Sequence, residues 1–301
     1  MLSNLPLGLL SAAALLFPIT SAQCNGQVEY CTRSWSNITT VGSHDSPFVG
    51  DSLSDNQDIS ITAQLDLGIR FLQGQTHMSI LGNELELCHT SCLLEDAGSL
   101  TDYLTTIKTW LDANPNEVLT LLLTNGDYVG IGNFSASFEA SGLDTLCYVP
   151  PTSPDVLPIN EWPTLQELID NGTRVVTFLD YDADMSTVPY ILDEFSYYFE
   201  TPYDVTDSTF DDCSINRPSG ASADGRMYIV NHFLDKDVLG ADIPDRDAAN
   251  TTNAVSGTGS IGAQTALCES LYGRPPNGIL LDWVDLGEPI KAQDVINGVS
   301  S

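Results

Sequence analysis

The chain has 301 residues, with 10 Lys and Arg against 41 Asp and Glu, a formal net charge of −31 at pH 7. A surface that acidic repels nucleic acid and anionic lipid faces, which excludes both as partners held by bulk electrostatics. The 42 % hydrophobic content is that of a globular protein able to bury one large core or two small ones.

Residues 1–22 carry no charge, hold an apolar run from Leu5 to Phe17, and end on Thr20, Ser21 and Ala22. They are expected to be a secretory signal peptide, leaving 23–301 as a single domain. No later stretch is long and apolar enough to span a bilayer, so no transmembrane segment is expected. In an exported chain the cysteines predict disulfides. Cys24 with Cys31 and Cys88 with Cys92 are local pairs, Cys213 with Cys268 is a third, and Cys147 is left as a buried thiol. Half a zinc site at Cys88 and Cys92 finds no second half at ligand spacing. Sequons at Asn37, Asn133, Asn171 and Asn250 are candidate glycan sites.

The first β-prone run, Ile38–Val41, stops at Gly42 and delivers Ser43, His44, Asp45 and Ser46. A short helix over 59–67 stops at Gly68, and strands follow over 69–78 and 84–88, the second ending at His89. Ser99 caps a helix with apolar spacing through Tyr103, Leu104, Ile107, Trp110 and Leu111. Residues 117–124 are a nearly continuous apolar run, the pattern of a strand buried on both faces in a parallel sheet. The unit recurs: a helix over 164–169, strands over 174–179 and 227–230, a helix over 260–272, a strand over 279–281 and a helix over 290–296.

Alternating strands and helices without a linker predict one α/β domain with a parallel barrel or sheet. The strand exits carry His44 and Asp45, His89, Asn125 and Asp127, Asp180 and Asp182, Asn231 and His232, and Asp282 and Asp285. Such a concentration is where a TIM barrel keeps its chemistry. Two histidines at strand exits supply a general base and a general acid. The polar insertions 150–163, 208–225 and 240–258 are expected to wall the mouth of the site.

The words Gly42-Ser43-His44-Asp45-Ser46, Gln64 to Leu72, Leu87 to Cys92 and Trp110 to Val118 resemble the phosphatidylinositol-specific phospholipase C superfamily, above all its secreted fungal phospholipase C-like phosphodiesterases. Asn231-His232-Phe233-Leu234 and Leu281-Asp282-Trp283 match more loosely. The resemblance implies an irregular TIM barrel with its site at the C-terminal ends of the strands. It implies His44 as general base oriented by Asp282, and His89 as general acid assisted by Asp45. The implied substrate is a phospholipid or inositol phosphodiester.

Two departures stand out. Metal-dependent relatives place acidic ligands at the positions of Gln73 and Gln75, and bacterial metal-independent relatives place an arginine at the latter. No metal and no cofactor is therefore expected, and the phosphate lacks its usual counter-charge. Arg70 is the nearest replacement cation, although alternation sets it off the face of Gln73, Gln75 and His77. Arg70, Gln73, Gln75, Asn125, Asp180 and His232 are the expected substrate contacts, and His77 is a third site histidine or a solvated strand end.

Two other readings stay open: a catalytically impaired barrel acting as a secreted binding or cell-wall protein, and a metal-dependent glycerophosphodiesterase-like or sphingomyelinase D-like enzyme using Asp127, Asp180 or Asp182. A serine hydrolase is disfavoured because no Gly-x-Ser-x-Gly elbow is present. A monomer, secreted and extracellular, with a bell-shaped pH profile near neutral or mildly acidic pH, completes the expectation.

Overall fold

The computed structural model describes residues 23–299, so the expected signal peptide lies outside the described residues. The strands are β1 (Thr40–Ser43), β2 (Phe71–Met78), β3 (Leu85–Cys88), β4 (Asp96–Ser99), β5 (Leu119–Asn125), β6 (Val175–Leu179), β7 (Ile191–Asp193), β8 (Tyr198–Glu200), β9 (Met227–Asn231), β10 (Asp235–Val238), β11 (Ala241–Pro244) and β12 (Gly278–Leu281). The helices are α1 (Ile61–Leu67), α2 (Leu100–Ala113), α3 (Gly132–Ser141), α4 (Leu165–Asp170), α5 (Glu194–Tyr197), α6 (Ala249–Thr252), α7 (Ile261–Tyr272) and α8 (Pro289–Asn297).

The main sheet runs β7-β6-β5-β2-β1-β12-β9-β8, and every neighbouring pair in that order is parallel. This is the expected irregular barrel, curled from parallel strands and backed by helices. Among the described residues no ladder joins β7 to β8. The single turn of α5 connects them, leaving a seam where a regular barrel would close.

Alternation along each strand sorts the apolar side chains into two layers. Leu121 and Leu123 of β5 pack outward with Leu104 and Phe134, while Leu122 packs inward with Phe71, Val176, Phe178 and Leu280. Each such side chain contributes about 1.5–3 kcal/mol when fully removed from water. Ser99 accepts a hydrogen bond from the Asp102 amide and so starts α2. Gly68 ends α1 in the left-handed region at φ 113°.

The segment 150–163 does not wall the mouth. Its approach pairs the Tyr148 amide with the Val175 carbonyl at the entry end of β6. Leu157 and Trp162 then join the inner layer, with Trp162 set 4.3 Å from Trp35 between ring centroids. Two apolar anchors in a run that looked polar turn it under the strands.

Cys24–Cys31, Cys88–Cys92 and Cys213–Cys268 are disulfides. Cys147 is a free, buried thiol that burial pushes up to about 12.

Gly42 stands where β1 and β2 approach most closely. A Cβ there would lie 2.8 Å from both the Cβ and the carbonyl oxygen of Phe71. Because backbone blocks it, Gly42→Ala is expected to force the strands apart and cost about 1–3 kcal/mol, read as a lower urea midpoint.

Candidate active site

β1 ends at Ser43, and the chain turns at once. Asp45 takes φ 44°, a left-handed conformation that non-glycine residues adopt at a cost, and its carboxylate comes to lie beside His44 Nε2. Gln57 fixes the turn by donating from Nε2 to the His44 carbonyl at 2.8 Å and the Leu281 carbonyl at 3.1 Å. The exit of β12, paired with β1 in register, brings Asp282 beside His44. His44 Nδ1 lies 2.9 Å from Asp282 Oδ1, which also accepts from Asn56 Nδ2 at 3.1 Å. Phe233 stacks on the His44 ring at 3.7 Å between centroids and 4° between planes.

His89 arrives differently from His44. β3 runs antiparallel to β2, so its exit is the return leg of a hairpin and not a barrel strand end. The Cys88–Cys92 disulfide clasps the turn, and the Thr90 amide donates to Gln75 Oε1 at 3.2 Å. The result sets both Nε2 atoms against one oxygen: Asp45 Oδ2 is 3.5 Å from His44 and 3.3 Å from His89.

Burial alone would depress the His44 imidazole, but the carboxylates of Asp45 and Asp282 outweigh it and raise it to about 9. His89 is raised as well, burial being outweighed by Asp45. Asp45 is fully buried, which would raise its carboxyl, yet His44 and His89 hold it below the usual carboxylate range. Both rings are thus biased toward imidazolium at neutral pH. For stability, the raised His44 contributes fully below its unfolded value of 6.5, and the contribution is lost as pH climbs through about 9. For a base that must be neutral, activity of the free protein is expected to rise toward alkaline pH, above the neutral range expected from sequence. Asp45→Asn should move that limb down by about one to three units in a kcat/KM profile.

His44, Asp45 and His89 lie at one end of a cavity of about 390 Å³. The PI-PLC X 1 family pattern matches residues 30–297 of the chain. The chain belongs to the PI-PLC X family. It is 53 % identical over 277 residues to PI-PLC X domain-containing protein 1 of Arthroderma benhamiae, covering 92 % of this chain and 90 % of that one. A protein of the same fungus named as an uncharacterized secreted protein is 44 % identical over 278 residues, covering 90 % of this chain and 62 % of that longer one. Among solved structures, phosphatidylinositol-specific phospholipase C from Listeria monocytogenes matches with a TM-score of 0.56 at 16 % identity, over 90 % of this chain and 96 % of that one. A variant of the Staphylococcus aureus enzyme matches with 0.59 at 13 %, over 90 % and 94 %. These likenesses show the barrel.

In this PI-PLC X chain, Gln73 and Gln75 both face the cavity, as their i, i+2 spacing dictates. Gln73 Oε1 accepts from the Asp45 amide at 2.7 Å. Gln75 Nε2 donates to Asp45 Oδ2 at 2.8 Å while its Oε1 holds Thr90. Their amides anchor Asp45 and the turn that carries His89. Neutral amides already engaged in this way do not fit a hard divalent cation between the histidines.

Three expected contacts lie elsewhere. Arg70 precedes β2, pairs with Glu117 at 2.7 Å, donates to the Leu65 and Ile69 carbonyls and lies over Trp110, which makes it structural. Asn125 points away from the cavity and ties the Val129 and Tyr181 carbonyls together. His232 is fully buried between Gln264 and the Thr252 carbonyl, and burial lowers it toward the neutral form. In both cases the preceding residue, Thr124 or Asn231, lines the cavity, and alternation sends the next one outward. His77 pairs with Asp127 at 2.9 Å away from the lining. Asp180 does line the cavity, and burial raises it to about 6.

Arg217 is the lining residue that sequence reasoning passed over. It sits in the 208–225 insertion, paired with Glu200 and lying over Tyr203 at 4.6 Å. A signal existed: in a chain with 10 basic residues, an arginine inside an insertion expected to wall the site was a candidate.

Proposed function

We propose that this chain is a secreted phosphoric diester hydrolase or lyase acting on a phospholipid or inositol phosphodiester, with His44 as general base and His89 as general acid. One observation carries the reading: both imidazole Nε2 atoms rest against the same Asp45 oxygen, with Asp282 on the other nitrogen of His44. A phosphate seated there has a histidine on either side. His44 Nε2 takes the proton of an attacking hydroxyl as its oxygen bonds to phosphorus. The bond to the leaving alcohol breaks as His89 Nε2 delivers a proton to that oxygen. Asp282 fixes the His44 tautomer, and Asp45 draws positive charge toward the phosphate in place of a metal or arginine.

Secretion is supported by the apolar leader 1–22, the disulfides, the exposed positions of Asn37, Asn133, Asn171 and Asn250, and the name of the second Arthroderma relative. A lipid substrate is supported by exposed aliphatic side chains on loops, Leu93 and Leu94 after His89 and Leu239 at the β10–β11 turn. No helix among the described residues is long and apolar enough to cross a membrane.

The test is turnover of phosphatidylinositol vesicles and simple phosphodiesters in EDTA. Activity that persists in EDTA and disappears in His44→Ala is the expected result. Loss in EDTA alone would favour the glycerophosphodiesterase-like mechanism, and no turnover above His44→Ala on any ester would leave a binding protein.

A further inference from the structure

The exposed apolar side chains on the loops around the site divide by type. Leu53, Leu93, Leu94 and Leu239 follow β1, β3 and β10 and are aliphatic. From β5 to β8 the loops carry aromatic rings instead, and these form a row. Tyr128, after β5 and 64 % exposed, lies 5.3 Å from Tyr181, after β6, between ring centroids. Tyr181 lies 5.5 Å from Phe195 on the α5 turn. The Arg217 guanidinium sits 5.9 Å from the Phe195 ring centroid and 4.6 Å from that of Tyr203, which follows β8 and is 38 % exposed. Tyr203 and Arg217 line the cavity of the histidines, while Tyr128, Tyr181 and Phe195 lie outside that lining.

The row is built into the fold. Asn125, 1 % exposed at the end of β5, accepts from the Val129 amide at 3.0 Å and donates to the Val129 carbonyl at 2.9 Å and the Tyr181 carbonyl at 3.2 Å. One buried side chain thus pins together the loops that carry Tyr128 and Tyr181. Glu200, itself buried, holds Arg217 at Nε and Nη2. Side chains held in this way lose little freedom when a ligand covers them. Carboxylates stand next to the rings, Asp182 after Tyr181 and Asp204 after Tyr203. Both are exposed, and among the described residues neither side chain makes a hydrogen bond or an ion pair.

Four classes of ligand fare differently on such a surface. Nucleic acid and other polyanions are repelled by a chain of net charge −31. A cation meets the fixed charge of Arg217 within the row. An acyl chain strips water from Asp182 and Asp204 without replacing their hydrogen bonds, and the aliphatic loops offer it a better seat. A pyranose sugar answers both features, since its C–H face packs on an aromatic ring and its hydroxyls donate to carboxylates. Steps of 5.3 and 5.5 Å between centroids are on the scale of one sugar ring. Because most of the row lies outside the cavity lining, its ligand is a chain that does not have to enter the cavity.

We propose that the row from Tyr128 to Tyr203 binds a free neutral polysaccharide, a chain of uncharged pyranose units. The site goes beyond the proposed reaction and uses neither histidine. A bound chain keeps the mouth of the cavity at the polymer's surface.

Calorimetric titration of the whole chain at neutral pH and low salt tests it. The probes are laminarihexaose, cellohexaose and N-acetylchitohexaose, each beside its own disaccharide. At least one hexamer is expected to bind about fivefold or more tightly than its disaccharide, because a longer chain covers more of the row. Tyr128→Ala and Tyr181→Ala should each weaken that hexamer about three- to tenfold, and Tyr128→Phe should keep its affinity within about twofold. Leu239→Ala, on the aliphatic side, should leave binding unchanged. Tyr128 is 64 % exposed, so its alanine variant keeps the test decisive even where Tyr181→Ala does not fold. Absence of binding by every hexamer overturns the proposal, as does an affinity independent of chain length or one untouched in Tyr128→Ala. Hexagalacturonate, which carries a carboxylate on each sugar, should not bind, and equal binding overturns the neutral class. Concentration-dependent dimerisation abolished by Tyr128→Ala would assign the row to a second copy of the chain and overturn the sugar site. Hydrolysis of phosphodiesters without hexamer binding removes this site and leaves the proposed reaction standing. Hexamer binding by a chain that turns over no phosphodiester does the reverse.

Discussion

His44→Ala is expected to lower phosphodiester turnover by about 10²–10⁴-fold while leaving the fold intact, because the ring lines the cavity and its removal enlarges that space. His89→Ala should fall in the same range on an ester with a poor leaving alcohol. On a p-nitrophenyl ester, whose leaving group needs no proton, it should lose much less. The split between the two esters is the informative measurement. If both histidine variants fall equally on both esters, His89 is not the acid that protonates the leaving oxygen. Full activity in His44→Ala would remove the proposed base altogether.

The second large effect concerns stability. The Cys213–Cys268 disulfide links the 208–225 insertion to α7 across a sequence separation of 55. The loop it closes in the unfolded chain is long, so Cys213→Ala with Cys268→Ala is expected to cost about 4 kcal/mol. The separations of 7 and 4 in the other two bridges predict losses of about 2 kcal/mol each. Urea unfolding under non-reducing conditions reads the order. A smaller loss for the long bridge than for either short one would show that the insertion is already ordered in the unfolded chain. Cys88→Ala with Cys92→Ala should reverse the ranking in an activity assay, since that bridge clasps the turn bearing His89.

What could be read from sequence followed how strongly burial writes itself into residue type. β5, β6 and β9 were legible because strands covered on both faces leave nearly unbroken apolar runs. His44 was legible because a glycine-terminated strand delivered it beside a carboxylate. β7 and β8 were missed because three residues are too few to show any period. The β10–β11 hairpin was read as loop, since its pattern is mostly polar and its turn at Leu239-Gly240 carries none of the usual Asn-Gly signal. His232 and Asn125 were assigned to the site by their place after apolar runs, and a one-residue phase error put each on the wrong side of its strand. Arg217 was invisible to local patterning because its partner Glu200 lies 17 residues away on a strand not recognised as one.

The unpaired edge between β7 and β8 has a consequence for what the molecule can accommodate. Elsewhere the girth of the ring is set by backbone rungs of fixed length, which do not stretch. Along this line it is set by the packing of Glu194 and Tyr197, so the molecule can dilate there without breaking a main-chain hydrogen bond. Under the proposed function, ligands of unequal bulk share one pair of histidines, with the slack taken up on the far side of the chamber.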